Sequence, residues 1–390
     1  MRSIDTVAEV PYRDPWAISL EERLHTLAGG RQRIAYFYEL ADNSTFRYRA
    51  YNMAQVLNDG SGRVSAAYFF HQDLGALDLI AGLADRLVIC RVRYDDHVGR
   101  LIAAFRHLGK PVLFDIDDHV FDYRMAPTLV STLDLNPDDP TVWHDWFSYT
   151  SRLGMTLLQC DAAIATTAPL AQAMSDFAGI PATVAPNFLN AEQLALSDRL
   201  YEVTSGRPLG EDGLVHLGYF SGSPSHNKDF AIVAPALEAL LEEDPTLGVV
   251  VVGYIEPGPQ LSRFGKRVRK FPFQDYVNLQ RLIASVEYNL MPLQYNEFTS
   301  AKSELKYFDA AVVGTLSIAS PTPTYAAVIR HGENGYLAQA HEWRRVIRKA
   351  LDERARYREV VQQARAHART AYGAEHQRAT ILRAIGVEPG

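Results

Sequence analysis

Short apolar runs recur along the chain, separated by segments whose apolar positions return every three or four residues. RIAYFYEL (33–40), AAYFF (66–70), RLVICRV (86–92), PVLFDI (111–116) and AAIATT (162–167) are rich in β-branched or aromatic residues and bounded by Gly, Pro or Asp. They predict strands, and HVGRLIAAFRHLG (97–109) predicts one of the helices between them. A second series starts near residue 214: strands LVHLGYF (214–220), LGVVVVGYI (247–255), VEYNLMPL (286–293) and TLSIAS (315–320), with helices over 230–244 and 275–286. The stretch 342–372 predicts one long, charged helix. Alternation of this kind gives an α/β fold with parallel sheets covered by helices on both faces. The segment SDRLYEVTSGRPLGEDG (197–213) is polar and Gly-rich and reads as the linker. The expected division is a first α/β domain over 1–200 and a second over 201–373.

Composition narrows the class. A chain of 390 residues is long enough for two substantial cores. A net charge of −7 argues against a general nucleic-acid partner. The two cysteines, Cys90 and Cys160, sit in apolar settings without metal-ligand spacing, which suits a reducing cytoplasm. No apolar run approaches the roughly 18 residues of a membrane span, and the N-terminus lacks the apolar core of a signal peptide.

Candidate chemistry lies where strands give way to helices. In AKSELKYFDAAVVGTLSIAS (301–320), Lys302, Glu304, Lys306 and Asp309 crowd charge onto a helix start. Such a site suits a ligand with phosphates and sugar hydroxyls: helix N–H groups and lysine for phosphate, a carboxylate for hydroxyls. The plainer alternative is a solvated, charged first turn. LGYFSGSPSHNKDF (217–230) offers Gly222, Ser223, His226 and Lys228 ahead of a helix, a cationic loop fit for a diphosphate. PVLFDIDDHVF (111–121) places Asp115, Asp117 and Asp118 at a strand end. An apolar strand followed by D-x-D also resembles the first motif of haloacid-dehalogenase-type phosphatases, with Asp115 as nucleophile, Asp117 as general acid and Mg²⁺ offsetting their charge. After the first strand, Asn43, Ser44 and Thr45 are positioned to cap a helix and bond sugar hydroxyls, while Arg47 and Arg49, two apart, do not share a helix face, so that one is free for the cleft and the other packs or pairs.

The order of these segments resembles the GT-B glycosyltransferases, particularly the retaining family 4 group with its bacterial cell-surface polysaccharide members. That group carries two glutamates separated by seven residues; Asp309 stands at the second position and Ala301 at the first. Its diphosphate-binding arginine and lysine correspond to Ser223 and Lys228, and its donor-contacting histidine to Asp117. The resemblance implies two Rossmann-like domains facing a cleft, a C-terminal helix in 374–390 that crosses back to the first domain, and transfer from a nucleotide sugar, UDP- or GDP-linked, to a glycan or lipid-linked acceptor. It implies retention of configuration and no obligatory metal or other cofactor. Asp117, Asp118, Lys302 and Glu304 are then the expected catalytic set. Gly222, Ser223, His226, Lys228, Lys302, Glu304 and Asp309 would bind the donor, and Asn43, Ser44, Arg47 and Asp115 would line the acceptor side. The expected location is the cytoplasm, with peripheral association at the inner membrane face compatible with a lipid-linked acceptor. Because one acid and one arginine of the pattern are replaced, a non-catalytic nucleotide- or glycan-binding relative remains an alternative.

Overall fold

The computed structural model describes residue 9, residues 11–222 and residues 226–388. The described residues form two wholly parallel six-stranded sheets. The first contains β1 (Gln32–Tyr38), β2 (Val64–Phe70), β3 (Arg86–Cys90), β4 (Val112–Ile116), β5 (Ala162–Ala165) and β6 (Ala182–Val184), in the order β2-β1-β3-β4-β5-β6. The second contains β7 (Val215–Ser221), β8 (Leu247–Gly253), β9 (Val268–Phe271), β10 (Tyr288–Met291), β11 (Leu316–Ala319) and β12 (Tyr336–Leu337), in the order β12-β11-β10-β7-β8-β9. Read from its other edge, the second order is that of dinucleotide-binding folds. Helices cover both faces, so strands are continuous buried runs rather than alternating ones: β8, and even the edge strand β2, are buried at every position. This is the α/β GT-B architecture, two Rossmann-like domains.

Two elements depart from the sequence pattern. The expected linker is helical through its first half, because the helix Ala191–Ser205 is capped by Asn190 and buries Leu194, Leu196 and Leu200. Only the Gly-rich remainder is irregular. The stretch 342–372 is two helices, Trp343–Asp352 and Tyr357–Tyr372, separated by a tight turn. The break lets the Glu353 carboxylate accept from the Tyr336 hydroxyl at 2.7 Å, while the Tyr357 hydroxyl donates to the Glu287 carbonyl at 2.6 Å.

The two domains share packing. Phe298 and Ala301, from the second, lodge in the first domain's core. Another cluster joins Ile34 and Tyr36 of the first sheet to Phe308 and Tyr372. Beyond Tyr372 the chain returns to the first domain. Leu189 bridges Gly373, Arg378 Nη1 donates to the carbonyls of Val56 and Leu57 at 3.0 and 2.9 Å, and Arg86 reaches the Gly386 carbonyl at 2.8 Å. No helix among the described residues is long and apolar enough to cross a membrane.

Candidate active site

The chemistry gathers where the C-terminal ends of the two sheets meet, the edge at which open α/β sheets bind ligands. From the first domain, Asp117 and Asp118 follow β4 directly. Arg91 follows β3 at φ 48°, a left-handed conformation that costs a non-glycine residue about 1–3 kcal/mol. The turn aims its guanidinium inward. Nη1 lies 2.8 Å from Asp117, 3.2 Å from Asp118 and 3.1 Å from the Thr45 hydroxyl, while Nε donates to the Tyr149 hydroxyl at 3.1 Å. Thr45 in turn donates to Asp117 at 2.8 Å.

From the second domain, Lys302 crosses to Asp118 at 3.2 Å and sits over the Phe298 ring at 4.4 Å. Burial would push the Asp118 carboxyl up, but Lys302 and Arg91 overcome it and hold the group down at about 2. Lys306 stands one turn further on, 5.3 Å from the Tyr219 ring centroid. Burial and the field of Lys302 bring its ammonium down to about 8 against the pull of Asp229. No carboxylate among the described residues lies within ion-pair distance of it.

The helix Asn227–Glu243 opens on a His226–Asp229 pair, Nδ1 to Oδ2 at 2.9 Å. Burial lowers the His226 pKa despite this bond, and Lys306 and Lys302 lower it further. At neutral pH the ring therefore donates from Nδ1 to the carboxylate. Asp229 also accepts the Gln294 N–H at 3.0 Å, tying the loop after β10 to the helix start. Gly253 ends β8 at φ 101°, and a Cβ there would meet the Ser221 carbonyl at 2.0 Å. Glycine alone allows the β7 and β8 ends to close up beneath Gly222, which is itself exposed with open space around it.

Of the expected residues, Asp117, Asp118, Lys302 and His226 come together in this region, and Ser223 lies outside the described residues. Others are drawn elsewhere. Asp115, expected on the acceptor side, is sealed in the core: Arg49 Nε and Nη2 clasp it at 2.6 and 2.8 Å, and the two side chains are 1% and 0% exposed. A carboxylate so enclosed lines no acceptor surface and cannot attack a phosphate ester, which removes the phosphatase alternative. Arg47, also expected there, is buried between the Tyr48 and Tyr276 rings and donates to Gln193 at 2.7 Å. Asn43 accepts from the Tyr12 hydroxyl at 2.7 Å, and exposed Ser44 bonds Asp42.

Among the donor-side residues, Lys228 reaches across to the Ser131 carbonyl at 2.7 Å and Asp134 at 3.5 Å, so it ties the domains together instead of awaiting a phosphate. Asp309 is buried and accepts from Tyr48 at 3.2 Å and Gln193 at 3.3 Å; burial lifts its carboxyl to about 6. Glu304 accepts from the Tyr372 hydroxyl at 2.6 Å, and burial raises its pKa. The sequence reading assigned no role to Arg91, Asp229 or Tyr149, gave Thr45 a capping and sugar-bonding role only, and left Lys306 as one charge among several. For Asp229 a signal existed: His and Asp three apart at a helix start.

The Glycosyl transferases group 1 family matches residues 215–353, the strands and helices of the second domain. Solved structures share the whole architecture. HepE of Anabaena, in complex with UDP and glucose, superposes with a TM-score of 0.59 at 15% identity, over 90% of this chain and 98% of that one. A glycosyltransferase from Rickettsia africae gives 0.57 at 12% identity, over 90% and 95% of the two chains. Sucrose-phosphate synthase from Thermosynechococcus elongatus gives 0.55 at 14%, over 90% and 97%. No curated protein sequence matches the chain. The chain therefore has the fold of the GT-B glycosyltransferase structures, and its residues 215–353 match the Glycosyl transferases group 1 family.

Proposed function

We propose that the chain transfers a sugar from a UDP- or GDP-sugar to a glycan or lipid-linked acceptor, with retention of configuration and without an obligatory metal. The observation that carries this reading is Lys306: a cation beside Lys302 and His226, with no carboxylate partner among the described residues, in the first turn of the helix Leu305–Val312, the phosphate-favouring end. The donor diphosphate lies over these groups and the N–H groups near Gly222. As the glycosidic bond breaks, negative charge grows on the departing diphosphate. Lys302 and Lys306 neutralise it from fixed positions, the role a divalent cation would otherwise take. Lys302 exchanges Asp118 for phosphate, and Asp118 keeps Arg91.

Asp117 and Asp118 accept hydrogen bonds from the transferred sugar or the incoming hydroxyl, and Arg91 and Thr45 orient them. The departing phosphate takes the acceptor proton, so no separate side-chain base is needed. Glu304 and Asp309 act at one remove: through Tyr372, Tyr48 and Gln193 they fix the helix that carries Lys306. A cytoplasmic chain working beside the membrane on a surface polysaccharide suits this chemistry. The test is release of nucleoside diphosphate from a panel of UDP- and GDP-sugars in EDTA, with and without glycan and lipid-linked acceptors. Acceptor-stimulated release supports the reading; nucleotide binding without release from any donor would make the chain a binding relative.

A further inference from the structure

Next to the Arg91 cluster, the first domain holds a cavity of about 470 Å³, lined by Arg93, Asp145, Trp146, Ser148, Tyr149 and Arg152. Small-ligand sites span about 300–1,000 Å³, so a sugar unit or two fits. Five of the six residues come from one helix, Pro140–Leu158, at positions that recur on a single face. Trp146 and Tyr149 meet edge to face, centroids 5.5 Å apart, and form an aromatic corner. Tyr149 is also the wall shared with the reaction cluster, since its hydroxyl accepts from Arg91 Nε at 3.1 Å and Arg91 Nη1 holds Asp117 at 2.8 Å. An occupant of the cavity is two side chains, Tyr149 and Arg91, away from Asp117.

The charges around the cavity choose among occupants. Arg93 is already neutralised by Glu39, with Nε 2.9 Å from Oε1 and Nη2 2.6 Å from Oε2. Arg152 gives Nε to the Tyr94 carbonyl at 2.8 Å and lies 3.9 Å from Asp95. Arg93 is therefore no open anion receptor, and Arg152 is turned toward the Tyr94 carbonyl and Asp95. Asp145 and Ser148 are exposed and have no partner among the described residues, leaving a carboxylate and a hydroxyl to face the occupant. An aliphatic chain would strand these polar groups, and a phosphate would meet Asp145. A pyranose satisfies both sides, its C–H face on an aromatic ring and its hydroxyls on Asp145 and Ser148.

We propose that this cavity is an acceptor subsite that grips a neutral sugar residue, so that the acceptor is a glycan recognised through Trp146, Tyr149 and Asp145. The inference rests on the glycosyltransferase reading and narrows its acceptor. The test is saturation-transfer NMR on the full chain loaded with UDP or GDP, using cellobiose, maltose and N,N′-diacetylchitobiose, with decyl phosphate as the lipid-phosphate probe. At least one neutral disaccharide should bind, decyl phosphate should not displace it, and Trp146→Ala should weaken it tenfold or more. Ser148→Trp, an exposed substitution that fills the cavity, should do the same without endangering the fold. Failure of every neutral disaccharide to bind, equal binding to both variants, or displacement by decyl phosphate would overturn the subsite. Thermal stabilisation by UDP or GDP on the same preparation separates the two claims. If it persists while sugar binding fails, only this inference falls; if it is missing from the unsubstituted chain, the donor reading falls.

Discussion

If Lys306 receives the donor diphosphate, nucleotide affinity must follow its protonation. Burial brings the ammonium down to about 8, so near pH 7 roughly nine-tenths of free molecules carry the charge and near pH 9 only about one-tenth. A diphosphate at the site holds the proton on, and the bound pKa rises. The apparent dissociation constant should therefore climb about tenfold from pH 7 to pH 9, about 1.4 kcal/mol. Other groups do not mimic this. The terminal phosphate has its last ionisation at about 6, so its charge grows by only about a tenth across the window, and in the direction of tighter binding. Burial and the two lysines keep the neighbouring His226 below its ordinary value, so it is neutral throughout. Asp229, lowered by its bonds to His226 and Gln294 despite burial, stays ionised.

Lys306→Gln should weaken binding at pH 7 by about 1.5–3 kcal/mol, the range for a charge-assisted hydrogen bond, and should flatten the profile. Calorimetry in buffers of different ionisation enthalpy reads both the affinity and the proton taken up on binding. Affinity independent of pH in the unsubstituted chain, or an unchanged slope in Lys306→Gln, would refute the assignment.

Three further outcomes follow. Asp115→Ala strands Arg49 in the core and should cost about 3–5 kcal/mol; a Tm loss of roughly 6–20 °C is expected in calorimetry, and a loss under ~3 °C would contradict the structural role. Asp118→Asn releases Lys302 from its carboxylate, so nucleoside diphosphate should bind several-fold tighter while transfer slows tenfold or more; weaker nucleotide binding would contradict the exchange of partners. Asp309 has a raised carboxyl, about 6 in the fold, so the stability it contributes is full below its unfolded value and lost as pH rises through about 6. Asp309→Asn should match the unsubstituted chain near pH 4 and be more stable by up to about 3 kcal/mol above pH 7; a Tm difference that does not change with pH would contradict this.

The strands of both sheets were legible because a parallel sheet covered on both faces demands unbroken apolar runs, and β1, β2, β7 and β8 are such runs. β6, β9 and β12 are edge or near-edge strands, short and partly exposed, and carry no such run. Charges were legible as charges but not as partners. Arg49 and Asp115 are 66 positions apart, Arg47 and Gln193 146 apart, and Lys228 lies 97 positions from its Ser131 acceptor. Each looked like site chemistry because nothing local showed that another side chain already held it. Arg91 went unassigned for the opposite reason: its reach depends on a left-handed backbone that no residue type at that position announces. Lys306 was visible, but its lack of a carboxylate partner emerges only when the surrounding elements are assembled.

The central claim is that a nucleoside diphosphate rests on Lys302 and Lys306 at the C-terminal edge of the second sheet. Titration of UDP and of GDP in EDTA, against the unsubstituted chain and the Lys302→Ala/Lys306→Ala double variant, tests it most directly. At a hundredfold excess over the dissociation constant, one of the two nucleotides should stabilise the unsubstituted chain by about 2.7 kcal/mol. The double variant should fold normally and lose that stabilisation. Binding of neither nucleotide to the unsubstituted chain, or equal binding to both proteins, would contradict the account.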